Sequence, residues 1–159
     1  MDETRVANAL TLLGSLPFIA FTLLTIGEPH VEERVEVATV ILLLYAAVIL
    51  SFLGGIRFGM EVRQPGDGAA ANIAWSVIPS LAGWGLVILT YIVVIFGASG
   101  FVGWAFAIFA GLFALQYAWD VASVRAGEAP GWFGAMRRRI TLIVVPTLLV
   151  AAFIAWSHY

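Results

Sequence analysis

The sequence predicts an all-α fold, a five-helix integral membrane bundle forming one transmembrane domain over residues 1–159. Three observations carry that prediction. Hydrophobic residues make up 62% of the chain and charged residues 11%, where a soluble domain carries roughly a quarter charged. Mean hydropathy is +0.99. The charges fall almost wholly between five apolar runs, each about as long as the ~20 residues that cross a bilayer at ~1.5 Å rise per residue.

The first run, Val6 to Ile26, is too long for the apolar part of a signal peptide and no small-x-small site follows it, so it reads as a spanning helix. Gly27 to Glu36 connects it to the second run, Val37 to Met60, in which Ala47, Ser51, Gly55 and Gly59 recur every four residues. Such a small-xxx-small ridge lets another backbone approach closely. The third run is Ile73 to Phe96, and the short link Gly97 to Gly100 leads to the fourth, Phe101 to Ala122. Gly103, Ala107 and Gly111 share one side of that helix with further alanines, while Phe106, Phe109, Phe113, Gln116 and Asp120 share the other. The fifth run is Ile140 to Ser157, after a charged connection from Ser123 to Arg139. With such short connections the economical arrangement is one helical bundle, and strands of a β-barrel would alternate apolar and polar residues as these runs do not.

Orientation follows from arginine, because positive residues in short loops stay on the cytoplasmic side. Arg5, Arg57, Arg63, Arg125 and Arg137 to Arg139 fall on the N-terminal side of the bundle and only Arg34 falls opposite. The expected topology is N-terminus cytoplasmic and C-terminus periplasmic, with Glu28, Glu32, Glu33 and Glu36 in an outer loop.

Several chemistries are excluded. The chain has no cysteine, and all eight of its basic residues other than histidine are arginine; there is no thiolate nucleophile or thiolate-held cluster, and no lysine for a Schiff base. His30 and His158 lie outside the runs, which rules out haem between two intramembrane histidines. A metal site of these histidines with the loop glutamates competes with two solvated surface histidines, and the latter is the expectation: no metal, no cofactor and no nucleic acid. No carboxylate lies near the middle of a run, where proton and cation pathways usually place one.

The candidate site is therefore a polar cluster at the cytoplasmic helix ends: Arg57 and Glu61 on the second helix, Gln116 and Asp120 on the fourth, each pair four residues apart and so on one face. Arg57 and Asp120 lie at similar depth and either meet as an ion pair or reach the interface separately. Arg57 points roughly 160° away from Gly55 and Gly59, so two packing models compete. If the small ridges of the two helices meet, the charges diverge; if the charges pair, the ridges serve other helices or another subunit. Pro17, Pro79 and Pro146 each interrupt an odd-numbered helix and are expected to kink it. Trp132 and Phe133 with Arg137, Arg138 and Arg139 are expected at the cytoplasmic interface.

The stretches Leu13 to Phe18, Ser51 to Gly59 and Ser76 to Leu81, with the tail from Gln116 and Asp120 through Pro130-Gly131-Trp132-Phe133 to Arg137 and Thr141, resemble the bacterial family called domain of unknown function 3429. That family is similar to mitochondrial transmembrane protein 69. The Gly-Gly-x-Arg-x-Gly segment is the most specific part. The resemblance implies a five-helix inner-membrane protein with no established activity, and it places the family's Arg and Asp positions on Arg57 and Asp120.

The expected function is that of a non-catalytic inner-membrane bundle that binds or helps assemble another membrane component, with membrane lipids and a membrane-protein partner or second copy as partners. The alternative is a carrier or binding protein for a small hydrophobic or anionic ligand or lipid. An enzyme using Asp120 or Glu61 with Arg57 stands behind both, since it needs those groups to converge on one cavity.

Overall fold

Inside a bilayer each backbone N–H and C=O must be paired within the protein, and an apolar helix does this within its own segment. A computed structural model describes residues 3–26, 32–63 and 68–158, in which the order is α1 Glu3–Thr25, α2 Glu32–Arg63, α3 Ala69–Ile95, α4 Phe101–Arg125 and α5 Gly131–His158. All five helices are long and apolar enough to cross a membrane. Glu28 and His30 of the acidic outer loop lie outside the described residues, as do the side chains of Glu32, Glu33 and Arg34.

Two boundaries differ from the sequence reading in ways that matter. Helix α2 runs on to Arg63 and α5 begins at Gly131 rather than Ile140. The segment expected as an interfacial loop continues the amphipathic pattern: Phe133, Met136, Arg137, Ile140 and Val144 recur at three- and four-residue steps and are buried. No proline interrupts Gly131 to Ile140, and Pro130 just before it sits where its missing N–H costs little. Helices α1, α3 and α5 continue through Pro17, Pro79 and Pro146 respectively.

Each helix packs against its neighbours in sequence, α5 returns to α1 to close the ring, and α2 also reaches α4 across the middle. The core is aromatic and aliphatic: Phe18 of α1 meets Phe113 of α4 edge to face at 5.6 Å between centroids and Tyr45 of α2 at 5.0 Å. Leu42, Leu50, Phe109 and Leu148 are fully enclosed beside them. Leu23, Phe52, Trp84, Leu115 and Phe153 cover the outside, a surface suited to lipid and not to water.

The small-residue ridges are used only in part. On α2, Ala47 is in close contact with α3, where a Cβ added to Gly83 would lie 3.2 Å from the Ala47 Cα. The next close approach is Gly54, where an added Cβ would lie 2.5 Å from the Ser76 carbonyl oxygen and 3.5 Å from Pro79. Gly55 and Gly59 face open space, and Ser51 donates its hydroxyl to its own helix at Ala47. The reason is helical drift. A four-residue step advances about 400°, so a strict four-residue ridge rotates about 40° per step and leaves the contact face within three steps. The stripe that stays inward is Ala47, Leu50, Gly54 and Arg57, with steps of three and four. On α4, Gly103 lies beneath the Trp156 indole and Ala107 packs on the core, but Gly111 faces open space.

Candidate functional site

Helices α2 and α4 end, and α5 begins, at the same end of the bundle. Arg57, Asp120 and Arg137 each stand five or six residues inside their helix termini, so all three lie roughly 8 to 9 Å in from the end at 1.5 Å per residue. That common depth makes a charged layer. All three residues are 1–2% exposed and Glu61 is 8% exposed.

One half of the layer is well paired. Arg137 donates from Nε to Asp120 Oδ2 at 2.6 Å, and Gln116 donates its side-chain amide to Asp120 Oδ1 at 3.4 Å. Asp120 thus receives both a charge-assisted and a neutral hydrogen bond, the arrangement that makes a buried carboxylate tolerable.

The other half is not. Arg57 lies with Cζ 4.6 Å from the centre of the Trp119 ring, a cation–π contact. Its Nη2 is 3.6 Å from Glu61 Oε1 and 3.9 Å from Glu128 Oε2, attractive distances that are too long for hydrogen bonds. Arg57 Nε and Nη2 are buried without an acceptor, as is Arg137 Nη2. An unsatisfied buried donor costs about 1–3 kcal/mol, more when charged.

The structure therefore brings Arg57, Glu61, Gln116 and Asp120 into one layer, but joins Asp120 to Arg137. No Arg57–Asp120 ion pair forms within 4 Å among the described residues. Of the two packing models, the charged faces turn inward while Gly55, Gly59 and Gly111 turn outward. Arg137 and Phe133, expected at the interface, are buried; Trp132, Arg138 and Arg139 remain exposed. Sequence reasoning missed Arg137, Trp119 and Glu128 as members of the layer. Arg137 was findable, because it alone of the three consecutive arginines keeps the helical spacing of Phe133 and Ile140.

Directly next to the layer is a cavity of about 290 Å³ between α2, α3 and α4, lined by Leu50, Trp75, Ile78, Pro79, Ala82, Leu112, Leu115, Gln116 and Trp119. It shares Gln116 and Trp119 with the layer, and the exposed Trp75, Ile78 and Leu115 form its rim, so it opens sideways toward lipid. A larger groove of about 520 Å³ lies toward the other end of the bundle, between α2 and α3 beyond the Ala47–Gly83 contact, with Val102 of α4 at one side. Its lining is mostly aliphatic with one carboxylate, Glu36, and the Thr90 hydroxyl there is engaged by the Leu86 carbonyl at 2.7 Å. Among the described residues no three His, Cys, Asp or Glu side chains are grouped so as to hold a metal ion.

The fold and this layer define a multi-pass membrane protein with an ionisable cluster enclosed at one end of its helical bundle. The chain belongs to the family of proteins of unknown function DUF3429, whose model matches residues 4–153. It is 30% identical over 156 residues to transmembrane protein 69 of Xenopus tropicalis, an alignment covering 93% of this chain and 54% of that protein. To transmembrane protein 69 of Mus musculus it is 27% identical over 152 residues, covering 94% and 56%. The chain thus spans about half the length of the curated relatives it matches. No solved structure matches it significantly.

Proposed function

We propose that the protein is a non-catalytic binding protein or carrier of the bacterial cytoplasmic membrane, and that its charged layer holds a small anionic or amphiphilic ligand. The observation that carries this reading is Arg57, a fully buried cation with two nitrogens that lack a hydrogen-bond acceptor, close to a lipid-facing cavity. An ionisable residue kept within a membrane bundle at such cost is by default a functional site. Arginine is suited to an anionic head, since its planar fork binds carboxylate and phosphate groups. The non-catalytic part is supported by Asp120, whose oxygens are already engaged by Arg137 and Gln116 and so are poorly disposed to accept a substrate proton.

Lipids and small molecules that copurify with the wild type and with Arg57→Gln test this. The wild type is expected to retain one species selectively, unchanged in mass on prolonged incubation, and Arg57→Gln to lose it; equal retention by both would remove Arg57 from the site. The open glycines Gly55 and Gly59 favour a second reading, assembly with another membrane protein or a second copy, and a polypeptide retained at fixed stoichiometry in place of a small molecule would support it.

The arginine distribution supports the orientation with the N-terminus in the cytoplasm and the charged layer at the cytoplasmic end of the bundle. Because the chain has no cysteine, single substitutions can be labelled uniquely. In intact spheroplasts an impermeant maleimide is expected to label Ser157→Cys and to spare Ala126→Cys; the reverse pattern would invert the topology.

A further inference from the structure

Glu128 stands in the turn between α4 and α5, where it touches the enclosed Arg57 from a position half exposed to solvent. Its backbone is fixed. Gly127 adopts φ 78°, a left-handed turn conformation that favours glycine, and the Glu128 N–H donates to the Ser123 carbonyl at 2.9 Å. The next residue, Ala129, is buried with Phe133 and Met136 against Ala7, Ile56, Met60 and Val124. The Glu128 side chain is held by much less, an ion contact of 3.9 Å with no hydrogen bond to Arg57. Glu61, by contrast, stands on the same helix as Arg57 and is largely enclosed, 8% exposed.

Resting on the binding reading above, we propose that Glu128 is an exchangeable cap on Arg57. The monoanionic head of a membrane amphiphile, a carboxylate or a phosphodiester, takes its place while one chain of that amphiphile occupies the cavity behind Trp119. Charge balance selects the class of ligand. In the capped layer two guanidinium groups, Arg57 and Arg137, face three carboxylates, Asp120, Glu61 and Glu128. Exchanging Glu128 for one external monoanion leaves the formal charge of the layer unchanged, and the displaced carboxylate turns into water where it is cheaply solvated. A dianionic head would add an uncompensated negative charge to a buried layer. The cavity volume of about 290 Å³ lies at the lower edge of the roughly 300–1,000 Å³ typical of small-ligand sites, which suits one chain, so the second chain of a diacyl lipid stays in the bilayer. The face of Trp119 joins the two parts, with Arg57 over its ring and the cavity along its flank.

The test is titration of the full chain, purified in an uncharged maltoside detergent, with dodecanoate and separately with phosphatidylglycerol. The variants are Glu128→Gln, Arg57→Gln and Arg57→Lys, with Glu36→Gln as a control that removes a carboxylate from the opposite end; the thermal midpoint of each verifies folding. Both probes are expected to bind the wild type, and Glu128→Gln to bind them about tenfold more tightly. Glu36→Gln is expected to match the wild type, Arg57→Lys to bind weakly and Arg57→Gln not to bind. Binding of only one probe, with the same pattern of variants, supports the exchange and identifies the source of the anion as a free fatty carboxylate or a phospholipid. Unchanged affinity in Glu128→Gln, with binding still lost in Arg57→Gln, overturns the cap and leaves the binding reading intact. Absence of binding in the wild type and in Glu128→Gln, or equal binding in Arg57→Gln, overturns both.

Discussion

Replacing Arg137 with alanine is expected to destabilise the folded protein by about 3–5 kcal/mol, the usual cost of breaking a buried ion pair by removing one partner. The substitution leaves Asp120, 1% exposed, with only the Gln116 amide at 3.4 Å. It also removes a side-chain hydrogen bond that ties α4 to the second turn of α5, joining residues seventeen positions apart at 2.6 Å. Asp120→Ala should cost a similar amount by isolating Arg137, whose Nη2 already lacks an acceptor. The double variant Asp120→Leu with Arg137→Met should recover most of the loss, because an apolar pair of similar volume replaces both charges at once. Equilibrium unfolding of the wild type, these three variants and the double-alanine variant in one detergent measures this. Full additivity of the single losses in a double-alanine variant would show that the two side chains act independently.

A second large effect is expected at adjacent glycines with opposite outcomes. Gly54→Ala should lower stability by about 1–3 kcal/mol, the range for overpacking, because its Cβ would lie 2.5 Å from the backbone oxygen of Ser76 and that oxygen cannot turn aside. The two helices would have to separate at Pro79, which would also reshape the cavity it lines. Gly55→Ala, whose Cβ meets nothing within 4 Å, should be neutral or stabilising by up to about 1 kcal/mol through helix propensity. Thermal midpoints of the two variants provide the comparison. Equal losses at both positions would show that Gly55 is covered in the assembled protein, which is what the assembly reading requires.

The membrane spans were legible because hydropathy and length report them directly: long apolar runs bounded by charge have few other uses. That Arg57 faces away from Gly55 and Gly59 was also legible at 100° per residue, but which of the two faces turns inward was not. The partner of Asp120 was not. Arg137 lies seventeen residues away across a turn, and a run of three arginines before an apolar span reads first as a topogenic signal. Only helical phase separates it from Arg138 and Arg139. Within the chain the packed glycine is Gly54, one residue off the predicted ridge, because a four-residue repeat drifts off the interface whereas the packed stripe alternates steps of three and four. Glu128 gave no sequence signal at all, because its relation to Arg57 depends on how the α4–α5 turn folds back over the end of α2.

On the reading proposed above, the layer divides into a structural pair, Asp120 with Arg137, and a cation assigned to a ligand, Arg57. The most direct measurement is native mass spectrometry of wild-type protein released from lipid nanodiscs, beside Arg57→Lys at a matched thermal midpoint. The expected result is one anionic amphiphile per chain on the wild type and a clearly reduced fraction on Arg57→Lys, where the charge remains but the planar fork is lost. A bare chain in both, or the same amphiphile at the same occupancy in both, would contradict the assignment of Arg57 to a ligand.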